Sequence, residues 1–360
     1  MRIIDDLKKN IFEIIFFTFL ALIGLLIFQD FGLYLDEDNS RENGFVSLKY
    51  ISEIVYPNFV LKIDEIINVS KIDEYYQQGN GVVFDVPAAF LEIFFNLKDS
   101  RSYYLLRHLL NYLIFVLSLI YFYKIIIKKY ESKLIAFIGV FFLYFSPRIF
   151  AESFYNTKDI FFMSLFILAT YSGLYFLEKK TFLSGIIFSI ISGLMVDVRI
   201  LGVFFPLLVF LLFFINLLRE KIVIKKHAIS LIISILFFSI FIVIFWPYLW
   251  SNPIVNFVSV FQNLANHDID IYNFYFGEYI SARGVPWHYS LVWIFITTPL
   301  LYTFLFLIGF FFIIKRMIER LLKIEENSSY IDLWRNKKEL QDLIFVFSFL
   351  IPVISVITLD

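Results

Sequence analysis

"IFEIIFFTFLALIGLLIFQDFGLYLDEDNSRENG", Ile11 to Gly44, decides the fold class. Its first half is apolar apart from Glu13. At 1.5 Å per residue it is long enough, as a helix, to cross a hydrocarbon layer of ~30 Å. Its second half turns abruptly to Asp36, Glu37 and Asp38, followed by Arg41. This is a membrane span that delivers a charged segment to a surface. The rest of the chain repeats the apolar half. Of its 360 residues, 60% are hydrophobic and 21% aromatic, with a mean hydropathy of +0.78, whereas soluble domains are roughly 45–50% apolar. So much apolar surface needs lipid as its solvent, and only helices or closed barrels satisfy their backbone there. The expected fold is all-α, a polytopic transmembrane helix bundle. The net charge of −1 gives no field suited to nucleic acid. The absence of Cys removes disulfides, thiolate catalysis and cysteine metal sites. No small-residue cleavage site follows the first run, so it reads as a retained span.

Further spans are expected near Tyr103–Ile127, Leu134–Phe145, Ile160–Leu177, Phe182–Val196, Ile200–Leu217, Ala228–Trp250, Leu291–Ile314 and Leu343–Thr358, after the first at Ile11–Phe28. Short cytoplasmic loops carry an excess of Lys and Arg. Placing Arg2, Lys8 and Lys9 inside puts Lys124, Lys128, Lys129 and Lys133, then Lys179 and Lys180, then Arg219, Lys221, Lys225 and Lys226 on the same side. The outer connections keep Arg148, Lys158, Arg199 and Arg283. Richness in Ile, Phe, Lys and Asn suggests an AT-rich bacterial genome. The expected location is therefore a bacterial membrane, with the N-terminus inside and the charged turns outside. The chain stops one residue after an apolar run, which reads as a C-terminally truncated domain.

Two outer segments are long. In the first, from about Gln29 to Ser102, "DVPAAFLEIFFNL" spaces Val86, Ala89, Phe90, Ile93, Phe94 and Leu97 as one helical face, suited to the membrane interface. Asp85 stands before Pro87 as an N-cap would. "FVSLKYISEIV" before Pro57 reads as a second interfacial helix. The other long segment, Ser251–Tyr289, lacks a span-length run and holds His267, Asp268, Glu278, Arg283 and His288, with Trp287 and Tyr289 as interfacial anchors.

Acids at a loop start are ordinarily just hydrated, and Asp36, Glu37 and Asp38 alone say no more than that. The short outer turns add weight. "SPRIFAESFYNTKDIFF" places Arg148, Glu152, Lys158 and Asp159 together. A capping role explains Asp159 but not Lys158, because a cation at a helix N-terminus is unfavourable without an anion nearby. In "GLMVDVRILG", Asp197 and Arg199 are flanked by apolar residues, either as a mutual ion pair or as functional groups. Carboxylates and cations on one face beside lipid suit an anionic lipid headgroup. Guanidinium and ammonium groups hold phosphate oxygens, and a carboxylate removes a proton from an incoming hydroxyl or amine. Neither a phosphate-binding Gly loop nor an H-E-x-x-H zinc motif is present.

The acidic pair Asp36–Glu37 after the first span, the long first outer loop with interfacial helices, "SPRIFAESFYNTKDIFF", "DVRILGVFFPL" and "GVPWHYSLVWIFITTP" together resemble the C-type-fold (GT-C) membrane glycosyltransferases. Within them they resemble the protein O-mannosyltransferase-like and aminoarabinose-transferase-like group. The resemblance implies that residues 1–360 form a single glycosyltransferase transmembrane domain. It implies a polyprenyl-phosphate sugar donor, a lipid, glycan or protein acceptor, and chemistry on the outer, periplasmic face of a bacterial inner membrane, with the N-terminus cytoplasmic. It makes Asp36 the base, with Glu37 beside it and Asp159 as the second-loop acid. Arg199 would face the donor phosphate, with Lys158 and Arg41 as weaker candidates. "DEDNSRENG" departs from the His-containing versions of the first-loop motif, which leaves open which carboxylate acts. No cofactor is demanded. Asp36, Glu37 and Asp159 offer hard oxygen ligands should a divalent metal take part. The competing readings are a lipid-linked glycan flippase, which the absence of an internal repeat disfavours, a membrane polysaccharide polymerase, and a non-catalytic assembly subunit.

The charge asymmetry fixes a testable orientation. In this cysteine-free chain, a cysteine at Asn39 is expected to react with an impermeant thiol reagent from outside the cell, and one at Asn327 only after permeabilisation. Labelling of Asn327 alone would invert the arrangement.

Overall fold

A computed structural model describes residues 10–57, 68–219, 224–265, 272–281, 284–322 and 337–359. The described residues form an all-α polytopic bundle, and their only sheet is a two-stranded hairpin. Among the described residues six helices are long and apolar enough to cross a membrane. The chain divides into two compact units, Met1–Gly202 with Ile233–Pro253, and Val203–Ile232 with Ile254–Asp360.

In the first unit α1 (Ile11–Ile27) is apolar apart from Glu13 in its first turn. It leaves Phe12 and Leu26 exposed to the lipid and turns Phe17, Leu20 and Gly24 inward. Gly24 lets it approach α4 (Ser100–Tyr130), since a Cβ there would sit 2.0 Å from the Tyr112 ring. The Tyr112 hydroxyl meanwhile donates to the Leu20 carbonyl. Between these spans lie two amphipathic helices, α2 (Glu37–Val55) and α3 (Asp85–Phe94). Both were expected, but α2 begins earlier than its apolar spacing suggests and takes Glu37 and Asp38 into its first turn, where negative charge meets the helix dipole favourably. The N-cap of α3 is Phe84, and Asp85 is buried rather than capping.

α5 (Lys133–Tyr144) starts on its Ser132 cap and is too short to span alone. A 65° bend separates it from α6 (Pro147–Tyr155), so the expected outer turn "SPRIFAESFY" is mostly helix. Ser146 stands extended before Pro147, as the residue before proline prefers, and Pro147 occupies the first helical position, where no N–H is needed. α7 (Asp159–Lys179) and α8 (Phe182–Val198) follow as a hairpin, the latter opened by a reciprocal Thr181–Ser184 capping box. One end of this unit gathers the C-terminal ends of α1 and α8 and the N-terminal ends of α4 and α7, with α6 between. The opposite end is basic, with Lys128 paired to Glu178 at 2.7 Å and Lys133 to Glu13 at 2.5 Å.

The second unit contains α9 (Phe204–Arg219), the first part of α10 (Ile224–Phe245), α11 (Pro253–Ala265), the hairpin β1 (Tyr272–Tyr275) and β2 (Glu278–Ser281), α12 (Tyr289–Thr297), α13 (Leu300–Leu322) and α14 (Lys337–Leu359). The single span expected over Leu291–Ile314 is broken. Thr298 adopts ψ 131 before Pro299, which disfavours helix in the residue ahead of it and cannot donate to the ladder. α13 and α14 are joined by Arg316–Asp342 at 3.1 Å and by Phe306 packing on Phe349.

The docking of α2 on α3 rests on Gly44, where a Cβ would lie 2.4 Å from the Asp85 carbonyl oxygen. Gly44→Ala is therefore expected to force these helices apart at a cost of about 1–3 kcal/mol, a usual penalty for overpacking. It would be read as a lowered midpoint of thermal unfolding in detergent, and an unchanged midpoint would refute the close crossing.

Candidate functional site

The polar side chains at the charged end of the first unit form two tiers. The exposed tier surrounds Tyr34, whose ring stacks on Tyr155 at 5.5 Å. Burial raises the Tyr34 phenol above its ordinary pKa, and the charges of Asp36, Asp159 and Glu152 push it the same way against the pull of Arg148. These four groups thus share one neighbourhood. Arg148 donates to Glu152 at 2.7 Å. Arg199 donates to Asp159 at 2.6 Å, and both side chains are about half exposed. The expected Asp197–Arg199 alternative is thereby corrected, because Arg199 reaches across to α7 instead. The Asp197 carboxylate turns inward and accepts the backbone N–H groups of Val82 and Val83 at 2.9 and 2.8 Å. It pins the loop before α3 to the end of α8. Gly81 makes this possible, since a Cβ there would lie 1.6 Å from the Asp197 carbonyl oxygen.

Asp159 does not cap α7. Asn156 does so, accepting the Asp159 N–H at 2.8 Å and the Lys158 N–H at 3.3 Å, while its amide donates to Asp159 Oδ2 at 3.2 Å. Lys158, half-buried at the N-cap, has the anion its position requires: its charge acts on the Asp85 carboxylate. Asp36 is the half-exposed N-cap residue of α2, with no side-chain capping bond. Asp36, Asp159 and Arg199 are therefore brought to one open face.

Glu37 is not on that face. It is buried, with Oε1 2.9 Å from His108 Nε2 and Oε2 accepting the Tyr34 N–H at 2.8 Å. Arg41 is also committed elsewhere. Its guanidinium binds Glu92 in a two-pronged contact, Nε at 2.9 Å, and lies 4.0 Å over the Tyr103 ring and 4.8 Å from that of Phe45. Among the described residues no three His, Asp or Glu side chains converge as metal ligands, so Asp36, Glu37 and Asp159 form no joint centre here. In the second unit the His288 ring meets the Tyr275 hydroxyl at 2.8 Å. His267, Asp268 and Arg283 lie outside the described residues.

The buried tier was not anticipated. Tyr104, Arg107, His108 and Asn111 lie on one face of α4, within a stretch taken simply as span. Tyr104 donates to Asp38 and His108 meets Glu37, both on α2. Arg107, 1% exposed, faces Asp85 and Glu92 of α3 at 3.8 and 3.9 Å. Asn111 donates to the carbonyls of Ser153 and Asn156 at 3.0 and 3.2 Å. The signal was available: ionisable residues inside an apolar helix are costly and face a bundle interior or cavity. Two cavities, of about 380 Å³ beside Arg41, Asp38 and Tyr103 and about 420 Å³ beside Gln29, Leu33 and His108, share Tyr104 as a wall.

Residues 86–246, a little under half of the chain, match the family model described as dolichyl-phosphate-mannose-protein mannosyltransferase. The matched stretch includes Arg107, His108, Lys158, Asp159, Asp197 and Arg199, while Asp36, Glu37 and Arg41 precede it. No curated protein and no solved structure matches the chain. The match supports the membrane-glycosyltransferase resemblance and does not separate the mannosyltransferase-like from the aminoarabinose-transferase-like group.

Burial raises the Asp85 carboxyl to about 6, against the opposing pull of Arg107, Lys158 and Asn43. A carboxyl raised in the fold holds a proton that the unfolded chain has released, so stability falls as pH rises from about 4 to 6. Thermal unfolding in detergent is expected to show that loss, and Asp85→Asn to flatten it over the same window. An identical slope in the variant would refute the assignment.

Proposed function

We propose that this protein is an integral-membrane glycosyltransferase that moves a sugar from a polyprenyl-phosphate donor to an acceptor on the outer, periplasmic face of a bacterial inner membrane. The observation that carries this reading is the Asp159–Arg199 pair, with Asp36 in the same Tyr34 neighbourhood, at the end of an apolar bundle, in a chain similar over residues 86–246 to the dolichyl-phosphate-mannose mannosyltransferases.

Asp36 is the base. It is partly exposed, free of a capping bond, and shares the neighbourhood of Tyr34 with Asp159, the partner of Arg199. It takes the proton from the acceptor hydroxyl or amine, the acceptor oxygen or nitrogen bonds to the anomeric carbon, and the polyprenyl phosphate leaves with the electron pair of the broken bond. One displacement inverts the anomeric centre. The charge that builds on the leaving phosphate is met by Arg199, with Lys158 nearby. Arg199 is available for this because exposed ion pairs contribute only about 0–1 kcal/mol, so phosphate can displace or join Asp159 at little cost. A guanidinium binds phosphate through two parallel bonds. Arg41, held by Glu92 between two rings, keeps a structural task. The acceptor is a lipid, glycan or protein.

Purified protein incubated with a panel of labelled polyprenyl-phosphate sugars is expected to transfer one of them, and transfer from none would sink the reading. Asp36→Asn should lower turnover by about 10²–10⁴, as loss of a general base does, with donor affinity largely kept. Arg199→Gln should weaken donor binding, and Arg199→Lys should restore only part of it, because charge returns without the planar fork.

A further inference from the structure

Asp36 is attached to the fold in an unusual way. Its carboxylate makes no capping hydrogen bond to the helix it opens. Its direction must come from the backbone on either side, which forms a closed ring. The Glu37 N–H donates to the Tyr34 carbonyl at 3.1 Å, and the Tyr34 N–H donates back to Glu37 Oε2 at 2.8 Å. Leu35 and Asp36 are the two residues enclosed. Leu35 is 88% exposed and adds no packing, so the side-chain packing of the ring is that of Tyr34 on Tyr155. The ring is tied to the bundle at its other carboxylate oxygen, where Glu37 Oε1 lies 2.9 Å from His108 Nε2. As a carboxylate Glu37 offers only acceptors, so the ring nitrogen facing it donates.

We propose that His108 is a positioning residue that aims Asp36 through Glu37. The inference rests on the reading of Asp36 as the base. His108 suits the task because it is 1% exposed and sits on α4, one of the long spans. Its ring cannot follow the solvent, and its neighbours in the helix are fixed by the packing of α1 and α7. The second anchor nearby, Tyr104 on Asp38, acts one residue further along α2 on an exposed carboxylate and closes no ring around Asp36. A base misplaced by about 1 Å loses rate by about 10²-fold without losing substrate affinity. The signature of a positioning role is therefore a fall in kcat with an unchanged donor KM.

The absence of Cys allows a readout that needs no activity. Spin labels on cysteines at Leu35 and at Leu117, an exposed residue of α4, report the distance from the ring to the bundle. The parent pair should give one narrow distribution. His108→Leu should broaden it, and so should His108→Asn, whose amide nitrogen falls near the place of Nδ1. His108→Gln, whose amide nitrogen falls near that of Nε2, should restore it. In sugar transfer from the active polyprenyl-phosphate donor, without labels, His108→Leu should lower kcat by about 10²-fold with donor KM unchanged, and should add nothing to the loss in Asp36→Asn. His108→Asn serves if the Leu variant fails to fold. An unchanged distance distribution in His108→Leu and His108→Asn overturns the proposal, as does a full further loss on the Asp36→Asn background. If the parent transfers no sugar, the glycosyltransfer reading falls, and the distance measurement alone still supports or overturns the anchoring of the ring.

Discussion

Burial of a guanidinium and an imidazole side by side in a membrane helix is the constraint on which this end of the molecule depends. Arg107 and His108 are each 1% exposed on α4. A buried charge is tolerable only when it is paired, since desolvation costs several kcal/mol per ion. α4 has no acid of its own near them. The partners come from outside the helix, Glu37 from α2 and Asp85 and Glu92 from α3. Two amphipathic helices that could otherwise float in the interface are thereby drawn down onto one span in a set register. Arg41 completes the arrangement by sharing Glu92 with Arg107, so two cations meet two acids.

The consequences spread along the chain. With α3 held by Arg107, the loop before it reaches the end of α8, where Asp197 receives its two N–H groups. With Asp197 so occupied, Arg199 is left to cross to Asp159. Asn111, one turn below Arg107, fixes the strand of chain between α6 and α7, and Asn156 there caps α7. Each contact is modest, but a single face of α4 touches α2, α3, α6 and the Asn156 turn ahead of α7.

Much of this was legible in the sequence and some was not, for physical reasons. Apolar composition and run length establish the membrane class because lipid leaves the backbone few solutions. The interfacial helices follow from the spacing of Phe90, Ile93 and Phe94, and the importance of the turns from charges such as Asp197 beside apolar neighbours. Partner choice was not legible. Asp197 and Arg199 are two residues apart, so proximity suggested a pair, yet a residue ending a helix and one leaving it point in different directions. Asp85 looked like a cap because caps are local, whereas its actual neighbours, Asn43 and Arg107, are remote in sequence. The break at Thr298–Pro299 was hidden by apolar residues on both sides.

The two tiers differ in what they can do. Glu37, Asp85 and Glu92 are almost wholly buried, and breaking such contacts strands a charge at a cost of about 3–5 kcal/mol. They specify where things are and do not exchange. Asp159 and Arg199 are about half exposed, and their pair is worth little to the fold. They can trade partners with a ligand without disturbing the bundle. Asp36 and Glu37 stand at the boundary between the tiers, adjacent in sequence and opposite in burial. A turn that begins a helix lets neighbouring side chains point apart, so one carboxylate can be spent on anchoring while the next stays free to react. On the proposed reading, the acidic pair after the first span is not two copies of one function but an anchor and a base made by consecutive residues.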